Sequence, residues 1–196
     1  MAHRILVFYG SYREARMGIR LARWLTARLA ERGCDVELVD AREVGLPMLD
    51  KRYMDYAPGE APAAVEELAA KLRAADGFVF VAGEYNWGMQ PGLKNLTDHF
   101  FHEWFWRPAA IASYSGGRLG GARSNSMWHP TLTEMGMVVV PSTLTVPQIG
   151  KTLDADDVPQ GDDGAALERG FERFAADLLW WVEAAKARRE LVSPPF

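Results

Sequence analysis

The chain reads as an α/β protein: a three-layer sandwich with a five-stranded parallel sheet in the order 2-1-3-4-5 and helices on both faces. Three observations predict it. Short apolar runs at 5–9, 78–82 and 109–114 are rich in β-formers and too short for helices, as strands buried on both faces are. Stretches of helical period separate them, and that alternation implies a parallel sheet. Loops rich in glycine and polar residues follow the first, third and fourth strands, at the strand ends where an open sheet of this order gathers its ligand.

Taken in order, Ile5-Leu6-Val7-Phe8-Tyr9 is the first strand. Met17, Leu21, Trp24, Leu25 and Leu29 then step by threes and fours, and Gly33 ends that helix as its C′ residue. Val36-Glu37-Leu38-Val39 alternates like an edge strand with one wet face. Residues 41–59 carry Gly45, Pro47 and Pro58 and read as loop. Pro62 suits a first helical position, and Val65, Leu68, Ala69 and Leu72 form the next stripe, which Gly77 breaks. After the third strand, Pro91 starts a helix predicted to carry Leu93, Leu96, Phe100 and Trp104 before Pro108 closes it. The fourth strand covers 109–114. A helix then runs to Met135, and a last strand spans 138–144. Residues 154–164 read as an acidic surface loop, and Leu167, Phe171, Phe174, Leu178, Trp181 and Val182 mark the final helix.

A length of 196 residues suits one domain covering 1–196. Apolar content of 48% and charged content of 24% are those of a globular protein, and a net charge of −4 with no basic cluster argues against nucleic acid as a partner. Cys34, the only cysteine, permits no intrachain disulfide and reads as a structural thiol entering a strand. The first residues lead into a strand with no leader pattern, and no apolar run approaches ~18 residues, so a cytoplasmic protein without a membrane span is expected.

Three loops carry the chemistry. Residues 10–18, Gly-Ser-Tyr-Arg-Glu-Ala-Arg-Met-Gly, join the first strand to a helix start. Free N–H groups, the Ser11 hydroxyl and the guanidinium groups of Arg13 and Arg16 suit a phosphate monoester; solvated arginines at a plain turn are the other reading. The loop is neither a Walker loop nor a G-x-G-x-x-G turn. Residues 83–98, running from the third strand into the next helix, offer flat side chains, amides and glycines, which suit a planar ring. The Ser115-Gly116-Gly117 turn lacks the Gly-x that precedes a nucleophile elbow, so a serine hydrolase is excluded. It reads either as a close approach to a flat ligand or as a simple strand-to-helix turn. His99 and His102 share a helix face but have no third ligand at a recognisable spacing, so no metal is expected. The aromatic run 100–106 exceeds what one helix face buries; either it is core throughout or it packs on a second subunit, and the reading favoured is a subunit interface on the 91–106 helix.

Together, Gly-Ser-x-Arg-x-x-Arg-x-Gly at 10–18, Glu-Tyr-Asn at 84–86 with Leu93-Lys94-Asn95 after it, and Tyr-Ser-Gly-Gly-x-x-Gly-Gly at 114–121 resemble the NAD(P)H-dependent FMN reductase family. The likeness covers essentially the whole chain. It implies a flavodoxin-like fold, FMN as cofactor, and NADPH or NADH as donor. It also implies ping-pong hydride transfer to a small acceptor such as a quinone, free flavin or azo compound. It places Ser11, Arg13 and Arg16 on the FMN phosphate with the backbone of Met17 and Gly18. Glu84, Tyr85, Asn86 and Trp87 line the isoalloxazine, and Ser115, Gly116 and Gly117 approach its pyrimidine or ribityl side. No side chain is required as acid or base. A homodimer or tetramer is implied, with the flavin near the interface. The alternative is a flavodoxin-like electron carrier or an FMN-binding regulatory protein. The chain departs from the family's common pattern at Gly83, where proline is usual, and at Trp87, where a small or polar residue is common.

Overall fold

The computed structural model describes residues 2–195. Its sheet runs β2-β1-β3-β4-β5, all parallel, with a sixth strand also on β4. The strands are β1 (Arg4–Tyr9), β2 (Asp35–Asp40), β3 (Gly77–Gly83), β4 (Pro108–Tyr114), β5 (Val138–Val139) and β6 (Leu144–Val146). The helices are α1 (Ile19–Glu31), α2 (Ala41–Val44), α3 (Ala63–Ala74), α4 (Pro91–Asp98), α5 (Ala122–Glu134), α6 (Ile149–Thr152) and α7 (Gly161–Leu191). No helix among the described residues is long and apolar enough to cross a membrane.

Side chains of the central strands alternate between two cores, as a period of two requires. Ile5, Val7, Tyr9, Val79 and Val81 pack with α1 and α7, while Leu6, Phe8, Phe78 and Phe80 pack with α3, α4 and α5. The predicted end of α1 holds: Gly33 has φ +82°, and the Cys34 N–H reaches back to Leu29 O at 3.3 Å, the outer bond of a Schellman motif. Burial pushes the half-buried Cys34 thiol up, as an unreactive cysteine requires.

The structure corrects several expectations. The last strand is two short ones, because Pro141 has no N–H for the ladder and the next N–H, on Ser142, turns to Asp177 Oδ2 at 2.8 Å. The helix after Pro91 stops at Asp98, and a 3₁₀ turn (His102–Trp104) follows. Side chains take two of its last carbonyls, His99 Nδ1 meeting Asn95 O at 2.8 Å and Trp104 Nε1 donating to Thr97 O at 3.2 Å, and Trp104 Nε1 also reaches Phe100 O just beyond the helix at 3.2 Å. Phe100 and Trp104 are buried, with Trp104 against Phe8, Phe78 and Phe80, so much of the aromatic run is core. The presumed loop after β2 opens with α2, whose first turn Asp40 caps through the Arg42 N–H at 3.0 Å. Pro108 begins β4, and α7 begins at Gly161, inside the predicted acidic loop.

At the amino edge of the sheet, buried Asp76 accepts from the Arg4 N–H at 3.0 Å, Lys186 Nζ at 2.8 Å and Arg189 at 3.4 Å. Burial opposes its ionisation, but these donors outweigh it and hold the carboxyl below its usual range. A depressed carboxyl stabilises the fold above its unfolded pKa and loses that effect as pH falls through the folded value. Asp76→Asn should therefore cost about 2 kcal/mol near neutral pH, and the gap to the parent should close below about pH 4. Urea unfolding at several pH values checks this; a gap independent of pH contradicts it.

Candidate active site

The loop after β1 lies directly on the start of α4. A Cβ on Gly10 would come within 2.2 Å of Leu93 N, and one on Gly92 within 2.5 Å of Gly10 O, so only glycines fit this crossing. Ser11 is buried, and its hydroxyl shares a 2.7 Å hydrogen bond with the Tyr85 hydroxyl. Arg13 is exposed above Tyr85, its guanidinium carbon 5.9 Å from the ring centroid. Met17 packs its sulfur toward Gly150, and Gly18 sits against the Tyr114 ring, where a Cβ would come within 2.0 Å. No side chain caps α1; its Ile19 and Arg20 N–H groups donate to Arg16 O and Met17 O at 3.2 and 3.1 Å, so what the helix start offers a ligand oxygen is chiefly the positive end of its dipole. Arg16 is more committed: it donates to the carboxylate of buried Asp40 and, at 3.4 Å, to Ser11 O.

β3 ends in a buried polar lock. The Gly83 N–H donates to Gln90 Oε1 at 2.9 Å, and Gln90 Nε2 donates to the Tyr114 hydroxyl at 2.8 Å. Tyr114 donates on to the Tyr9 hydroxyl at 3.5 Å, and Tyr9 to Arg16 O at 3.4 Å. Burial pushes both tyrosines up, Tyr114 well above its usual value, so each hydroxyl stays neutral and available as a donor. The departure at Gly83 thus has a cause: proline has no N–H to give, and a Cβ here would lie 2.7 Å from Gln90 Cδ.

Between Gly83 and Gln90 the chain reverses tightly. Tyr85 and Gly88 exchange N–H···O bonds of 3.0 and 2.9 Å, and Asn86 and Trp87 both take positive φ, 47° and 76°, as a type I′ turn requires. The N–H groups of Asn86 and Trp87 make no hydrogen bond among the described residues, which leaves two donors at the turn tip. Glu84 is a strut. Its N–H donates to Tyr114 O at 3.1 Å, and its carboxylate accepts from Arg123 NH1 at 2.8 Å and from the Arg123 N–H at 3.2 Å. Glu84 thereby supplies from another loop the acidic group that the start of α5 lacks.

The third loop is pinned to its neighbours. The Ser115 N–H donates to Val146 O at 3.2 Å, the Gln148 N–H to Gly117 O at 2.9 Å and the Ile149 N–H to Ser115 O at 3.0 Å. The Ser115 hydroxyl donates to Gly117 O at 3.1 Å. Gly120 and Gly121 have reasons within the protein, φ of +59° and +78° and backbone that a Cβ would strike. Gly116 and Gly117 have none. Neither lies in the left-handed region; a Cβ on Gly116 would meet nothing within 4 Å, and one on Gly117 only the Ser115 hydroxyl at 4.0 Å. Open, bare backbone of this kind suits a flat ring lying close against it. An uncapped helix start, Ser11 and Arg13 suit a dianionic phosphate. The donor set therefore fits FMN.

The structure brings these three predicted loops to one end of the sheet. A cleft of about 490 Å³ opens beside the first two, lined by Tyr12, Arg13, Met48, Tyr85 and Asn95. Sequence reasoning missed Arg123, Gln90, Tyr114 and Asp40. The Glu84 side chain, expected at the ring, also pairs with Arg123, a partner the sequence did not suggest. His99 lies outside the site with its ring on Asn95 O, and among the described residues no group of three or more His, Cys, Asp or Glu could hold a metal.

Fold and site define a flavodoxin-like protein with a crevice for a phosphate and a planar ring. Residues 3–151 match the family described as NADPH-dependent FMN reductase, and the chain belongs to that family. It is an oxidoreductase with FMN and NAD(P)H as cofactors. Over 168 residues it is 33% identical to an NAD(P)H-dependent FMN reductase of Schizosaccharomyces pombe, covering 84% of this chain and 80% of that one. Over 139 residues it is 31% identical to an NADPH:quinone oxidoreductase of Arabidopsis thaliana, covering 64% and 67%. Among solved structures it is similar to the flavoenzyme NAD(P)H:(acceptor) oxidoreductase of Paracoccus denitrificans, with a TM-score of 0.74 at 21% identity over 94% and 99% of the two chains. A variant flavodoxin of Pseudomonas aeruginosa gives 0.56 at 17% over 89% and 98%. At such identities the structures speak for the fold.

Gly116→Ala and Gly117→Ala should leave stability within about 0.5 kcal/mol of the parent, or raise it slightly, because nothing in the protein opposes a methyl there. FMN affinity should fall. Thermal melting of the apoprotein and fluorimetric FMN titration check the pair; unchanged FMN affinity in both variants would move the ring elsewhere.

Proposed function

We propose that the chain reduces quinones or similar planar acceptors by a ping-pong reaction with NAD(P)H. The observation that supports this most is the pair of bare glycines, Gly116 and Gly117, opposite a turn whose tip keeps two N–H donors. FMN, when bound, supplies the redox chemistry: a hydride taken from NAD(P)H in one half-reaction and given to the acceptor in the next. The protein's part is to bind, orient and polarise. Ser11, Arg13, the Met17 and Gly18 backbone and the α1 start hold the phosphate. The Ser11–Tyr85 hydrogen bond ties that loop to the turn beside the ring, so the two ends of the ligand site are set against each other. The N–H groups of Asn86 and Trp87 offer fixed dipoles to negative charge that builds at the ring edge on reduction. Tyr9 and Tyr114 stay protonated and position backbone, so protons come from solvent. The quinone oxidoreductase among the relatives supports the acceptor class.

A homodimer or tetramer belongs to the same proposal. Half-buried Phe101 and Phe105 and exposed His102 interlock edge to face, with centroids 5.0 to 5.4 Å apart. They offer a second copy an aromatic contact beside a cleft of about 640 Å³ lined by Phe101, Lys94, Asp98 and Met135.

Two measurements test the reading. The purified protein, loaded with FMN and kept free of oxygen, should lose its yellow absorbance on addition of NADPH or NADH, and initial-rate plots at several quinone concentrations should be parallel. An oxidised spectrum that persists with both donors sinks the proposal. Arg13→Ala should weaken FMN by about 1.5–3 kcal/mol with little effect on the apoprotein's stability, whereas Arg16→Ala should destabilise the fold by a similar amount by leaving Asp40 buried and unpaired. Equal effects of the two on FMN alone would give Arg16 a larger share of the phosphate.

A further inference from the structure

We propose that Trp87 is a rigid stacking wall that selects flat, fused-ring acceptors, and that Arg123 and Glu84 exist in part to hold it still. The inference rests on the reductase reading and adds to it the side chain that reads the acceptor's shape.

Four observations point the same way. Trp87 is 66% exposed, although burying a large apolar side chain is the ordinary outcome of folding. It occupies a backbone position with φ 76°, where glycine would be unstrained and tryptophan is not. A residue kept both exposed and strained gives the monomer's own core nothing in return, and strain of this kind gathers at functional sites. Its indole is nevertheless fixed. The Arg123 guanidinium carbon stands 3.6 Å from the ring centroid; that guanidinium donates to Glu84 Oε1 at 2.8 Å, and the Arg123 backbone N–H donates to Glu84 Oε2 at 3.2 Å. One face of the indole is thus taken by a clamped cation, and no ring among the described residues stacks on it.

The position is apt for this role. Trp87 sits two residues from Tyr85, which bonds to the phosphate loop, and Arg123 follows the Gly116–Gly121 loop into α5. The indole therefore stands on the α5 side of the crevice that takes the planar ring. An aromatic wall ordered before binding loses little rotamer freedom when a second flat molecule stacks on it. It has no such effect on a compact, non-planar acceptor.

The test compares 1,4-naphthoquinone with ferricyanide as acceptors for the FMN-loaded protein, in the parent, Trp87→Gly and Trp87→Phe. Glycine suits the turn, so Trp87→Gly should melt within a few degrees of the parent. Its ratio of kcat/KM for naphthoquinone over ferricyanide should fall about tenfold, the effect of losing one stacking contact of about 1.4 kcal/mol. Trp87→Phe, which keeps a flat face, should retain most of the ratio. Calorimetric binding of naphthoquinone to the oxidised protein should weaken in parallel, a readout that needs no turnover. An unchanged ratio and unchanged quinone affinity in Trp87→Gly overturn the wall, as does an equal loss in Trp87→Phe. If the parent is reduced by neither NADPH nor NADH, the reductase reading fails, and the calorimetric comparison still decides whether Trp87 receives flat rings.

Discussion

One buried side-chain amide holds the active end of this protein together. Gln90 is fully buried and has two strong partners, the Gly83 N–H at the end of β3 and the Tyr114 hydroxyl at the end of β4. In a low-dielectric interior an unmade bond to such a group costs far more than a made one returns. The two strand ends and the turn between Gly83 and Gln90 are therefore held in one arrangement. The ring-side turn, the glycine loop after β4 and the seat of Gly18 on Tyr114 all inherit their positions from it.

Around that lock the charges are divided between internal and external use. Arg16 is spent on Asp40, and Arg123 on Glu84 and Trp87. Both pairs stiffen loops that would otherwise hang at the mouth of the crevice. Arg13 stays in water above Tyr85, and the helix start behind it carries a dipole rather than a formal charge. A site assembled this way presents a modest, directed positive potential without stranding a bare cation in apolar surroundings, which accords with a ligand that is anionic at one end and neutral and flat at the other.

Much of this was legible in the sequence, and the exceptions share a cause. The buried strands announce themselves as apolar runs, Gly33 ends a helix by local rule, and the meeting of the three loops at one end of the sheet follows from sheet order. Each of those readings uses residues that are neighbours along the chain. The errors came where a distant group settles a local choice. Phe100 and Trp104 have the spacing of one continuous helix, yet the pull of Phe8, Phe78 and Phe80 on Trp104 ends it at Asp98. The pairing of Glu84 with Arg123, 39 residues on, has no local signal at all. Gln90 carries no period or motif at all; its importance appears only when β4 is laid beside β3. Pro141 was visible throughout, but its effect on the last strand depends on Asp177 being there to take the next N–H.

The final helix bears on how this family is divided into parts. Similarity to the family runs over residues 3–151, so α7 falls beyond it. Yet Phe171, Phe174, Leu178 and Val182 are buried with the β1 and β3 side chains on one whole face of the sheet, and Phe171 meets Trp24 edge to face at 5.2 Å. β6, which holds the Ser115 loop through Val146 O, packs against the same helix. The unit that folds therefore extends beyond residues 3–151. The residues proposed to meet the ligand lie within 3–151, while α7 supplies much of the core on one face of the sheet that carries them.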